Sequence, residues 1–101
     1  MQTYVVQWSR RAEQRMDEFT YYVAQDSSWA YARQLAKRIT RAVNKGLRHA
    51  PLAYSPAPEW GEGVRRMPIL GRRVLFKVDE AAHVVRVLSV MGGAENPREV
   101  R

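Results

Sequence analysis

The sequence predicts an α+β domain of two layers, in which a mainly antiparallel four-stranded sheet packs on a helix hairpin in the order β-α-α-β-β-β. Three observations predict it. Runs of β-branched and aromatic residues stand at positions 3–8 and again in three places after Gly63. Between them, two stretches repeat apolar residues at helical spacing, with a short serine-containing turn joining them. The chain has 101 residues and neither internal repeat nor linker, enough for one hydrophobic core and too few for two, so residues 1–101 are expected to form one domain.

In the first strand Tyr4, Val6 and Trp8 alternate with Thr3, Val5 and Gln7. Ser9 ends it and can cap a helix, because its hydroxyl accepts from an early, otherwise free backbone N–H. Behind it Ala12, Met16, Phe19 and Val23 recur at 4, 3 and 4 residues, one stripe of a helix over about residues 10–25. The turn Gln25-Asp26-Ser27-Ser28 offers serines to cap a second helix. Its stripe is Ala32, Leu35, Ala36, Ile39, Val43 and Leu47, and it ends near Arg48 ahead of Pro51. Two helices joined by a short turn form an antiparallel pair.

Residues 49–62 hold Pro51, Pro56, Pro58 and Gly61 and are expected to be a loop, with Tyr54 and Trp60 pinning it to the body. A basic hairpin follows over residues 63–78, each half carrying an arginine pair, with the turn at 68–71. After Asp79-Glu80-Ala81-Ala82 comes Val84-Val85-Arg86-Val87-Leu88-Ser89-Val90, apolar on both parities and therefore suited to the middle of a sheet. Residues 91–101 read as an irregular tail. A helix pair that returns the chain to the end where the first strand finished allows the sheet to be antiparallel throughout.

Charge points to the class of partner. Seventeen Lys and Arg against ten Asp and Glu leave a formal net charge of +7, so an acidic partner is expected: nucleic acid, a machine bound to it, or an acidic protein. Arg33, Lys37, Arg41, Lys45 and Arg48 follow one another at 4, 4, 4 and 3 residues as a basic stripe on the second helix. With Arg65, Arg66, Arg72 and Arg73 of the hairpin, the stripe residues Arg33, Lys37, Arg41 and Lys45 are the candidates for binding a target or anion. There is no cysteine, and His49 and His83 stand far apart, so no metal site and no cofactor is expected. No apolar run approaches the ~20 residues of a membrane span, and the start lacks a signal-peptide pattern, which predicts a cytoplasmic protein with no membrane partner.

Several short stretches taken together carry a resemblance. They are Val6-x-Trp8-Ser9-x-x-Ala12, Gly63-Val64-Arg65-Arg66-Met67-Pro68, Gly71-Arg72-Arg73-Val74-Leu75-Phe76-Lys77-Val78-Asp79 and Val85-Arg86-Val87-Leu88-Ser89-Val90. In order, spacing and total length they resemble the RelE/ParE superfamily of toxins, with the Trp-Ser-x-x-Ala opening closer to ParE. The resemblance implies the toxin of a type II toxin–antitoxin pair, neutralised by an acidic antitoxin and reaching operator DNA only through that antitoxin. ParE-like members poison DNA gyrase. RelE-like members cut messenger RNA on the ribosome, with basic residues that hold phosphate.

For RNA cleavage, Arg66 and Arg73 fall about where RelE-like enzymes place a lysine and an arginine, a pair able to clamp phosphate. After the last strand those enzymes carry a further arginine and then a tyrosine or histidine for proton transfer. This chain reads Met91-Gly92-Gly93-Ala94-Glu95-Asn96 there, which leans away from an enzyme. Many ParE-like members carry His-Gly-Ala-Arg-Asp, against Gly92-Gly93-Ala94-Glu95-Asn96 here. The element order, the basic hairpin and the missing proton-transfer residue make a ParE-like gyrase inhibitor the expected function. The alternatives are a ribosome-dependent mRNA endonuclease and a non-toxic basic binding module on the same fold.

Overall fold

A computed structural model describes residues 3–92. Its elements are β1 (Val5–Trp8), α1 (Arg10–Asp26), α2 (Trp29–His49), two short 3-10 turns (Pro51–Ala53 and Pro58–Trp60), β2 (Arg65–Ile69), β3 (Arg72–Asp79) and β4 (Val84–Gly92). This is the expected order. Both helices start on serine caps, Ser9 Oγ accepting from the Ala12 N–H at 3.0 Å and Ser28 Oγ from the Tyr31 N–H at 3.1 Å. Ala12 and Met16 of the first stripe are buried, as are Ala32, Ile39, Val43 and Leu47 of the second.

Element boundaries move where a local bond decides them. Tyr4 donates its N–H to the Arg48 carbonyl at the end of α2, so β1 begins at Val5 and not at position 3. Pro68 and Ile69 lie within β2, and the hairpin turns on Leu70 and Gly71, with φ of 45° and 78°. Positive φ at both central residues is the hairpin turn whose twist matches that of the strands. Met91 and Gly92 belong to β4 and not to an irregular tail, because they pair with Arg73 and Arg72 of β3. The rest of that tail, residues 93–101, lies outside the described residues.

The sheet order is β1-β4-β3-β2, which puts the doubly apolar β4 in the interior. β2 and β4 each run antiparallel to β3, whereas β1 pairs parallel with β4, from Val5 opposite Val84 to Trp8 opposite Val87. The sheet is mainly antiparallel, as expected, but it is mixed: the parallel β1–β4 pair departs from the fully antiparallel arrangement that counting reversals allowed. The reason lies in α1. β1 has four residues and β4 nine, and α1 runs on along the half of β4 that β1 does not reach. Ser9 donates its N–H to the Val87 carbonyl and its hydroxyl to that of Leu88, Arg15 Nε donates to Val90, and Phe19 meets the Arg72 guanidinium at 4.1 Å. α2 alone then brings the chain back, to Arg48 beside Tyr4. With one reversal fewer, β4 points along β1.

The main core lies between helices and sheet, where Met16, Ile39, Val43 and Leu47 meet Met67, Val74, Phe76, Val85, Val87 and Val90. A second, smaller cluster lies on the other face, where Ala57 and Val64 cover Leu75 and Met91, with Trp60 and Leu88 at its margin. The segment that carries Ala57 also closes the outer edge of β2. Ser55 accepts the Arg66 N–H, Pro56 bridges to Arg65, and Pro68 has no N–H to offer.

Candidate functional site

Strand parity divides the hairpin arginines between the two faces. Arg65 and Arg72 point to the helix side: Arg65 donates to the Tyr54 carbonyl at 2.6 Å, and Arg72 lies over the Phe19 ring. Arg66 and Arg73 point to the other side, where register sets Arg66 opposite Leu75 and Arg73 opposite Pro68. Residues two apart on adjoining strands are diagonal neighbours, with Cα atoms about 7–8 Å apart, close enough for two guanidinium groups to share one anion. Of the four hairpin candidates, the fold brings these two together on the open face. Arg33, Lys37, Arg41 and Lys45 are exposed on α2, away from that pair.

Beside Arg66 and Arg73 lies a groove of about 360 Å³, lined by Arg11, Glu59, Trp60, Val64, Leu75, Leu88, Ser89 and Met91 among others. A β-bulge builds its floor. Leu75 pairs with Ser89 but Phe76 pairs with Val87, so Leu88 is an extra residue, and β4 presents Leu88 and Ser89 in succession to the same side. Trp60 forms one wall and Arg73 lies 5.6 Å from the centre of its ring. Arg73 also reaches the Gly92 carbonyl at 3.4 Å. Arg66 meets Glu59 at 3.9 Å, a half-exposed pair worth at most about 1 kcal/mol. The groove is thus apolar below and mostly cationic at the rim, with Glu59 the carboxylate that answers Arg66.

Further along the same face Lys77 stands directly opposite Arg86, both exposed, with Gln7 next to Arg86. Like charges facing across a pair of strands repel. Sequence reasoning missed Lys77, Arg86, Arg11 and Glu59. The first two left a signal: Lys77 follows Arg73 by four residues and so shares its strand face, and Arg86 interrupts an otherwise apolar strand. Arg11 and Glu59 left none, because only folding places them at the groove.

Two positively charged side chains on one face can hold a phosphate or a carboxylate. His49 is exposed at the end of α2, and His83 stacks on Tyr4 at 4.9 Å beside the start of β4, so neither lines the groove. Among the described residues no three His, Cys, Asp or Glu cluster to hold a metal ion, and no helix is long and apolar enough to cross a membrane. The sequence positions weighed for a second arginine and a proton donor, Gly93 to Asn96, lie outside the described residues.

A family described as the ParE toxin of the type II toxin–antitoxin system parDE matches residues 6–97, from β1 past the end of β4. The chain belongs to the ParE toxin family. As a ParE-family member it is the toxin component of a type II toxin–antitoxin system. No curated protein matches it by sequence. The ParE-type fold recurs in solved structures of low identity. The chromosomal ParDE system of P. aeruginosa is 18% identical, with 88% of this chain and 95% of that chain covered and a TM-score of 0.75. The RelBE2 toxin–antitoxin complex of Mycobacterium tuberculosis is 19% identical, with 94% and 97% covered and a TM-score of 0.66. The intact E. coli RelBE complex is 20% identical, with 92% and 99% covered and a TM-score of 0.51.

Proposed function

We propose that this ParE-family toxin acts in the cytoplasm by binding, inhibiting DNA gyrase, and is held silent by a cognate acidic antitoxin. The match to ParE over residues 6–97 carries the reading. The open face supports it: Arg66 and Arg73 are engaged by Glu59, Trp60 and the Gly92 carbonyl, which makes them parts of a shaped surface. The apolar groove with its cationic rim suits a protein partner, since it can seat an apolar side chain while the rim meets flanking carboxylates. A net charge of +7 favours an acidic partner in the same way. The solved structures of similar fold include toxin–antitoxin complexes.

A supercoiling assay with purified gyrase tests the target. Inhibition by the free toxin, relieved by equimolar antitoxin, is the expected result; full supercoiling in excess folded toxin rejects gyrase as the target. One observation favours cleavage of ribosome-bound message as a second reading, namely that Arg66 and Arg73 share a face. Primer extension on translated message addresses it, with cleavage lost in Arg73→Ala as its signature.

A further inference from the structure

The outer face of α2 carries charge of one sign only. No Asp or Glu occurs between Asp26 and Glu59, a stretch that carries Arg33, Lys37, Arg38, Arg41, Lys45 and Arg48. All six are exposed, and none forms an ion pair among the described residues. At about 100° per residue they fall within an arc of about 140°. The buried Ala32, Ile39, Val43 and Leu47 occupy a narrower arc on the opposite side. From Arg33 to Arg48 the row is about 22 Å long. Neighbours four residues apart repel by roughly 0.2–0.5 kcal/mol per pair, with no acidic side chain interleaved to offset it.

We infer that this face binds the phosphate backbone of duplex DNA directly, with no antitoxin as intermediary. A protein partner needs an apolar seat at the centre of its interface. Beyond Tyr31, among the described residues, α2 exposes no large apolar side chain, so this face lacks such a seat. A single strand would use aromatic platforms between the cations. The aromatic residues of α2, Trp29 and Tyr31, both precede the row, and Arg33 already lies over the Trp29 ring at 5.6 Å. A straight row of cations with nothing between them to read or stack a base suits a stiff polyanion of high charge density, which is what a duplex presents. Such contacts position the protein without selecting sequence. The face is distinct from the open-sheet groove, and the inference does not depend on the identity of the target.

The test is fluorescence anisotropy of the free, full-length toxin with a short labelled duplex of arbitrary sequence. With about four phosphate contacts, log K against log salt has a slope of about −3.6, so affinity falls about 150-fold from about 50 to 200 mM salt. The combined Lys37→Gln, Arg41→Gln, Lys45→Gln variant is expected to flatten that slope to about −1. Thermal melting establishes that the variant is folded, since all three side chains are exposed. The inference is overturned if the folded variant binds the duplex as the parent does, or if the parent does not bind at low salt. Tighter binding to single-stranded DNA or to duplex RNA also overturns it. So does a variant that loses antitoxin affinity while its DNA affinity is unchanged, because the face is then a protein interface.

Discussion

Gly46 shows how one side chain can reverse a helix-propensity argument. It lies inside α2, where alanine ordinarily adds about 1 kcal/mol of stability. A Cβ there would stand 2.6 Å from the Tyr54 hydroxyl and 3.0 Å from the Met67 methyl. Tyr54 cannot easily yield, because its ring packs edge-on against Phe76 and its carbonyl is held by Arg65. Overpacking costs about 1–3 kcal/mol, so Gly46→Ala is expected to lower stability by about 1 kcal/mol in urea unfolding. Leu70 is the opposite case. It holds φ of 45° at a hairpin turn, a conformation that costs a β-carbon residue about 1–2 kcal/mol, and the residue is 59% exposed. Leu70→Asn is expected to raise stability by about 0.5–1 kcal/mol, read as a higher urea midpoint at unchanged slope. Neither effect is legible in the chain alone: what Gly46 faces is set by Tyr54 and Met67, which only folding brings to it, and the turn reads as centred on Pro68 to Gly71.

The two helix caps look alike in sequence and differ in the fold. Ser9 caps α1 and also donates to the Leu88 carbonyl at 3.0 Å, tying the helix to the sheet, whereas Ser28 makes one exposed bond to Tyr31. Ser9→Ala is expected to cost about 1–2 kcal/mol and Ser28→Ala about 0.5 kcal/mol, compared by thermal unfolding of the pair. The caps themselves and the apolar stripes could be read from the chain, because a hydroxyl three residues ahead of a free N–H and a 3.6-residue repeat are local facts. The second bond of Ser9 spans 79 positions and could not.

Across the molecule, charge is the dominant tendency and solvent ions are its control. With +7 net charge and a cationic α2, self-repulsion opposes the folded state, so the melting temperature is expected to rise by a few degrees as salt screens it. A fall in differential scanning calorimetry would mean that surface ion pairs such as Arg66–Glu59 outweigh the repulsion. The element order, the helix pair, the interior place of β4 and the toxin family could all be read from residue order, because they depend on periodicity, caps and short spaced motifs. The direction of β1 against β4 could not. It depends on whether α1 folds back over β1 or runs on along β4, and that is decided by contacts from Ser9, Arg15 and Phe19 to residues more than fifty positions away. The same holds for the candidate site. Sequence placed four arginines in one hairpin; strand parity sent Arg66 and Arg73 to the open face, and the packing of residues 57–64 against Leu75 and Met91 set Trp60 and Glu59 beside them. A strand's face follows from counting by twos, but what covers that face follows only from which distant segment buries its own apolar side chains there.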